Sequence, residues 1–277
     1  MKIKGITTGF EAAEKQWGFT EASAAKTHKG TNGTGVLICH GFGGSPANMR
    51  CLYESAVKLG CTAAAPLLTG HGETLGEMNE ATYADWRRDV DAALEMLTSA
   101  GCERIVLCGL SMGALLMADL AERNAGLGLI DGVMLICPPV RLKKYLNFCS
   151  HISRLIPYVQ TRDVFPGGDM EMYCGMATAK LKDLRKLSDA VRTHTGALDM
   201  PTLLVEAGKD NRVDPESYNI LRERIPHAEY VLMPEATHGI PYSESAQELC
   251  ELFEGFLKRF IQGDAEQIYR PSSPARY

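Results

Sequence analysis

Two kinds of hydrophobic pattern alternate along this chain: short, nearly continuous apolar runs, and longer stretches whose apolar residues recur every three or four positions. The first kind reads as a strand covered on both faces and the second as an amphipathic helix. Strands are predicted at residues 35–40, 62–67, 104–110, 132–137, 202–207 and 230–233. Helices fill the intervals, and their ends are marked. Ser45-Pro46 offers an N-cap and a first-turn proline, with Gly60 as the stop. Thr82 with Asp85 has the spacing of a capping box, after which Tyr83, Trp86, Val90, Ala93, Leu94 and Leu97 recur at helical spacing until Gly101. Near the C-terminus Ala246, Leu249, Cys250, Phe253, Phe256, Leu257 and Phe260 share one face. Such stripes are read as core faces. The alternation predicts an α/β class with a mostly parallel central sheet and helices on both faces.

Between residues 141 and 199 the alternation fails. No convincing strand is visible there; Leu142, Tyr145, Leu146, Phe148, Ile152, Leu155 and Ile156 suggest one helical stretch, and Leu181, Leu184, Leu187 and Val191 another. This segment is expected to be an inserted helical lid, dividing a core of residues 1–140 and 200–262, with 263–277 as a polar tail. The insertion carries ten Lys or Arg against six Asp or Glu, so it is basic while the rest of the chain is acidic. Pairing of the lid with the acidic body accounts for this, as does a preference for anionic substrates. Tyr145, Phe148, Met170, Met172, Tyr173 and Met176 are candidates for lining an apolar substrate pocket, since Met and aromatic side chains accommodate alkyl chains; packing of the lid against the body is the competing role.

A composition of 45% hydrophobic and 23% charged residues with a net charge of −5 leaves no basic footprint for nucleic acid or anionic lipid. No apolar run is long enough for a membrane span, so neither nucleic acid nor stable membrane insertion is expected. The start MKIKGITTGFEAAE lacks the apolar run of a secretion signal, which places the protein in the cytoplasm as an expectation. Nine cysteines without a C-x-x-C pair or metal-type spacing are expected to be reduced core residues, and no zinc site or other metal is predicted. Neither G-x-G-x-x-G nor a Walker pattern occurs, and no cofactor is expected.

The chemistry concentrates in RIVLCGLSMGALLM, residues 104–117. A buried strand runs into Gly109-Leu110-Ser111-Met112-Gly113 and a helix follows at once, the strand–turn–helix context that gives G-x-S-x-G its mechanical meaning. The turn lifts a hydroxyl clear of the sheet and places it at a helix N-terminus. A serine hydroxyl is a weak nucleophile and needs a base, and the base needs a group to fix its tautomer. After the strand TLLVEAG come two carboxylates, Asp210 and Asp214. Asp210 lies nearer the strand end and is assigned as the acid; Asp214 precedes Pro215 and a helical segment, where its simpler role is an N-cap. Of seven histidines only His238 lies beyond the last strand, which makes it the candidate base. His40 and His71, beside glycines at strand ends, suit structural hydrogen bonding. Backbone N–H groups of Met112 and of Phe42, in the turn HGFGG after the first strand, are the expected oxyanion donors.

HGFGGSPANM, APLLTGHGETLGEM, TYADWRRDV, LCGLSMGALL, AGKDNRVDP and ATHGI occur in an order and spacing that resemble the α/β-hydrolase superfamily, in its bacterial carboxylesterase and monoacylglycerol lipase branch, also grouped with serine aminopeptidase-like hydrolases. The resemblance implies carboxylic ester hydrolysis through an acyl-enzyme by Ser111, Asp210 and His238, on a small-molecule ester of short to medium acyl chain or a monoacylglycerol. Amidase or aminopeptidase, thioesterase and feruloyl-type esterase activities use the same constellation and remain alternatives.

Overall fold

The computed structural model describes residues 20–72, 74–144, 158–160, 175–194, 196 and 198–263. Its centre is a seven-stranded sheet formed by β1 (Lys26–His28), β2 (Thr34–Cys39), β3 (Thr62–Ala65), β4 (Arg104–Leu110), β5 (Gly132–Ile136), β8 (Thr202–Ala207) and β9 (Glu229–Met233), in the order β1-β3-β2-β4-β5-β8-β9. All pairings are parallel except β1 with β3, where Thr27 faces Ala64. The sequence pattern missed β1 because Lys-Thr-His is polar and three residues long, and a polar edge strand carries no apolar signal.

The helices are α1 (Arg50–Lys58), α2 (Leu75–Glu80), α3 (Tyr83–Ser99), α4 (Met112–Arg123), α5 (Lys180–His194), α6 (Glu216–Arg224) and α7 (Ala246–Gln262). Alternate residues along each strand feed two cores. Leu37, Leu107, Leu135 and Leu204 pack against α3, α4 and α5, while Val36, Ile38, Val106, Met134 and Val205 meet α1 and α7 on the other face. A strand sandwiched this way needs apolar residues at both parities, which explains the unbroken runs in the sequence. The predicted stripes of α3 and α7 are buried at Trp86, Val90, Leu97, Phe253, Phe256, Leu257 and Phe260. The Thr82–Asp85 capping box is present, with Asp85 N–H donating to Thr82 Oγ1 and Thr82 N–H to the Asp85 carboxylate.

Two findings revise the expected helical insertion. A two-stranded antiparallel pair, β6 (Tyr158–Gln160) and β7 (Gly175–Ala177), lies within it, with Tyr158 opposite Ala177. Strands of three residues are too short to display a period, so the pattern did not reveal them. Helix α5, in turn, buries Leu181, Leu184, Leu187 and Val191 in the same core as Leu115, Leu116 and Leu120 of α4. Its Lys180 ammonium donates to the Ala81 carbonyl and pairs with Asp183 at 3.2 Å. Tyr145, Phe148, Met170, Met172 and Tyr173 lie outside the described residues; Met176 falls in β7, and its side chain lies outside them too. Among the described residues no helix is long and apolar enough to cross a membrane.

Helices α3 and α4 are tied by a buried carboxylate. Asp119 accepts from Arg87 at 2.6 and 2.8 Å and from Arg123 at 2.9 Å, and Arg123 reaches on to Asp91 at 2.7 Å. Thr82→Ala removes the cap of α3, which anchors this network, and should lower unfolding free energy by about 1 kcal/mol. A urea titration is expected to show a lower midpoint with an unchanged slope.

Candidate active site

Strand β2 stands where the strand order reverses, since the chain leaves it for β3 on one side and later returns to β4 on the other. Ligands of open α/β sheets bind at such a switch point, beyond the carboxyl ends of the strands. The turns after β2 and β4 meet there.

Ser111, between β4 and α4, adopts φ 55° and ψ −116°, outside the regions comfortable for an L-residue. Gly109 and Gly113 make the turn feasible. A Cβ on Gly109 would lie 2.4 Å from the Gly113 backbone, and one on Gly113 would lie 2.3 Å from the Cys39 carbonyl oxygen. Helix α4 therefore starts against the end of β2 itself. Ser111 N–H donates to the Ile136 carbonyl at 2.8 Å, fixing the turn to β5. As the first residue of α4, Met112 has an N–H with no intrahelical acceptor.

The turn after β2 closes with Gly44 N–H donating to the Gly41 carbonyl at 3.1 Å and Gly43 at φ 72°. Phe42 occupies its corner, and a Cβ on Gly41 would lie 3.3 Å from Ser111 Cβ. Behind the turn, buried His40 donates from Nδ1 to the Gly41 carbonyl at 2.9 Å and accepts from Leu68 N–H at Nε2, 3.2 Å away. His71 packs between the rings of His40, Phe42 and Trp86. Trp86 Nε1–H donates to the Thr69 carbonyl at 3.1 Å, and Asp89 takes up Thr69 N–H at 2.6 Å. The sequence assigned His40 and His71 structural hydrogen bonding, and both make it, His71 Nδ1 donating to the Thr69 carbonyl at 3.4 Å; the aromatic packing around His71 was not legible, because Phe42, His71 and Trp86 come from three separate segments.

Asp210 and His238 arrive on the loops after β8 and β9. Lys209 N–H donates to the Ala236 carbonyl at 2.9 Å, closing one loop on the other. His238 Nδ1–H donates to Asp210 Oδ2 at 2.7 Å, and Asp210 Oδ1 accepts N–H bonds from Arg212 at 2.7 Å and Val213 at 3.0 Å. Burial works to raise the Asp210 carboxyl pKa, but the His238 bond and charge and the two N–H groups together hold it below its ordinary value. The carboxylate fixes the histidine tautomer and leaves Nε2 as the proton acceptor. Asp214 turns instead to α6, taking Glu216 N–H at 3.1 Å and pairing with Arg141 at 3.3 Å. Beside His238, a pocket of about 310 Å³ opens between Asn211, Arg212 and Tyr242; Ser111 does not line it.

Among the described residues Ser111 Oγ has no hydrogen bond to His238. Strand β5 joins the two halves: Ser111 is bonded to Ile136, and the next residue, Cys137, donates its N–H to Val205 of β8 at 2.9 Å. The Cys137 sulfur, an Asp210 carboxylate oxygen and a His238 ring nitrogen lie within 4.8 Å of one another. These are metal-ligating types, but the carboxylate and imidazole are engaged with each other, and burial and Asp210 keep the thiol protonated. Cys137 is free and buried, as the sequence led one to expect of its cysteines; its positive φ of 49° and its place beside Asp210 have no signature in an apolar run ending ICPP.

The sequence profile of the alpha/beta hydrolase family matches residues 36–252, and the chain belongs to that family. It is a hydrolase similar to enzymes with esterase and lipase names. A carboxylesterase of Bacillus subtilis (strain 168) is 29% identical over 197 residues, covering 69% of this chain and 77% of the relative. A thermostable monoacylglycerol lipase of Bacillus sp. (strain H-257) is 29% identical over 215 residues, covering 75% and 83%. Among solved structures, one reported under LipS and LipT, two metagenome-derived lipolytic enzymes, superposes with a TM-score of 0.79 at 24% identity, covering 86% of this chain and 98% of that one. This last likeness concerns the fold.

Burial pushes His40 down to about 4 and, with His40 beside it, His71 down to about 3. Both stay neutral in the folded state while an unfolded histidine takes up a proton near pH 6.5. Below that pH the unfolded chain binds more protons, so stability must fall as pH falls, by about 1.4 kcal/mol per pH unit for each histidine. Burial pushes the Glu122 carboxyl up to about 8, which acts with the opposite sign over this range. Urea unfolding of Glu122→Gln at pH 7, 6 and 5, all above the range in which Asp210 titrates, should therefore show this steepening loss; a flat profile in that variant would contradict the buried neutral assignment.

Proposed function

We propose that the protein hydrolyses carboxylic esters through an acyl-enzyme, with Ser111 as nucleophile, His238 as general base and Asp210 as the acid that orients it. The carrying observation is the 2.7 Å Asp210–His238 hydrogen bond, set on loops whose strands are tied through β5 to the strained Ser111 turn. His238 Nε2 takes the Ser111 proton as Oγ attacks the ester carbonyl, and Asp210 stabilises the imidazolium. The oxyanion is held by the N–H groups of Met112, at the positive end of α4, and of Phe42. His238 then returns the proton to the departing alcohol. Water enters, His238 deprotonates it, and the acyl-enzyme is cleaved to acid and free Ser111. The serine–histidine bond forms as substrate binds, since such contacts tighten in the Michaelis complex.

The backbone supports these roles. The Ser111 turn stores strain that only a hydroxyl presented to a substrate puts to use, and the His40 bridge fixes the Phe42 turn against the β3 loop. The names of the sequence relatives favour an ester of short or medium acyl chain, or a monoacylglycerol, as substrate. Residues 141–199 would act as the lid over it, within a core of residues 1–140 and 200–262.

Ser111→Ala should lower turnover of p-nitrophenyl butyrate by on the order of 10⁴ to 10⁶. Retention of a tenth of the wild-type rate excludes the mechanism. In parallel, p-nitrophenyl esters from acetate to dodecanoate, an amino-acyl anilide, an acyl thioester and methyl ferulate define the substrate class. An optimum among the aliphatic esters is expected; anilide, thioester or ferulate as the best substrate would replace that assignment while keeping the serine chemistry.

A further inference from the structure

Cys137 has no part in the mechanism above, yet the fold holds it in an unusual way. It is fully buried, with φ at 49°, a backbone conformation that favours glycine, immediately after β5. Its N–H is committed to Val205, and its sulfur lies within 4.8 Å of both an Asp210 oxygen and a His238 nitrogen. Asp210 accepts three hydrogen bonds, one at Oδ2 and two at Oδ1. A carboxylate has about four acceptor positions, so one remains to be filled in a buried site. Tyr218 of α6 is buried as well, and its hydroxyl has no hydrogen-bond partner among the described residues. A buried hydroxyl is costly to leave unpaired, and Cys137 is among the groups whose charge acts on it.

We propose that Cys137 is a positioning residue: its S–H donates to the Asp210 carboxylate, and the Tyr218 O–H donates to its sulfur. This rests on Asp210 being the acid of the proposed triad. The line Tyr218–Cys137–Asp210–His238 gives each buried polar atom a partner. Burial and the adjacent carboxylate both raise the thiol pKa, so the proton stays on sulfur and the donor persists across the working pH range. The other ionisable groups facing this line are Glu206 of β8, whose pKa is raised by burial, with Arg222 of α6 beside it, and Arg212 and Tyr242 around His238.

A donor on Asp210 draws charge from the oxygen that faces His238, so its loss lets the imidazole hold its proton to higher pH. The test is kcat/KM for p-nitrophenyl butyrate from pH 5 to 9. In Cys137→Ala the acid limb should move up by about half a pH unit, lowering kcat/KM about threefold on that limb. Cys137→Ser, which keeps a donor, should restore the wild-type limb, and Tyr218→Phe should shift it part of the way. A merely structural cysteine predicts lower rates with an unmoved limb. That outcome in both Cys137→Ala and Tyr218→Phe overturns the inference, as does a Cys137→Ser limb shifted like Cys137→Ala. Asp210→Asn separates the two levels. Its loss of activity, on the order of 10⁴, leaves the triad standing whatever Cys137 does, whereas near wild-type activity removes the triad and this inference together.

Discussion

The close approach of the start of helix α4 to the end of strand β2 governs the rest of the site. At Gly113 there is no room for a methyl group between the helix and the carbonyl oxygens of Cys39 and His40, and at Gly109 none between the strand and the helix backbone. Only with both side chains absent does the turn between them tighten enough to carry Ser111 at φ 55°. A conformation of that kind costs on the order of 1–3 kcal/mol and persists only where its surroundings over-determine it. Here the surroundings are the buried α4, its neighbours α3 and α5, and the Arg87–Asp119–Arg123 network.

The proposed acid and base obey a different logic. They sit on loops, beyond the regular structure, and their relative position depends on a few backbone bonds between the loops and one between their side chains. Burial would neutralise an isolated aspartate; N–H donors and the histidine keep Asp210 ionised. The Phe42 turn, the proposed oxyanion donor, is supported in a third way, by neutral histidines and a tryptophan packed behind it. Rigidity at Ser111, electrostatic balance at Asp210 and His238, and aromatic packing behind Phe42 come from three separate parts of the chain. The first and third meet because the strand order reverses at β2.

The sheet and its covering helices were legible in the sequence because burial on both faces leaves a local mark, an unbroken apolar run such as VLIC or IVLC. Ser111 was legible for a related reason: the glycines that its turn requires lie two residues away on either side. Asp210 and His238 could be chosen by their place after β8 and β9, although nothing local distinguishes His238 from other loop histidines. The edge strand β1 and the β6–β7 pair were missed, being too short to show a period. That Cys137 lies beside Asp210 and His238 was not legible, because its neighbours are set by residues some 70 to 100 positions away in the chain.

What the sequence determined by itself was therefore the α/β alternation, the caps, the tight Ser111 turn and the candidate identities at the strand ends. These depend on interactions between residues close in the chain, which leave their period or spacing in the letters. The tertiary structure decided that Asp210 rather than Asp214 meets His238, that His40 braces the Phe42 turn, and that helix α5 joins the core beside α4. Each of these is a contact between distant segments. Its geometry follows from strand order and from which buried polar atom still lacks a partner, quantities with no representation along a single stretch of chain.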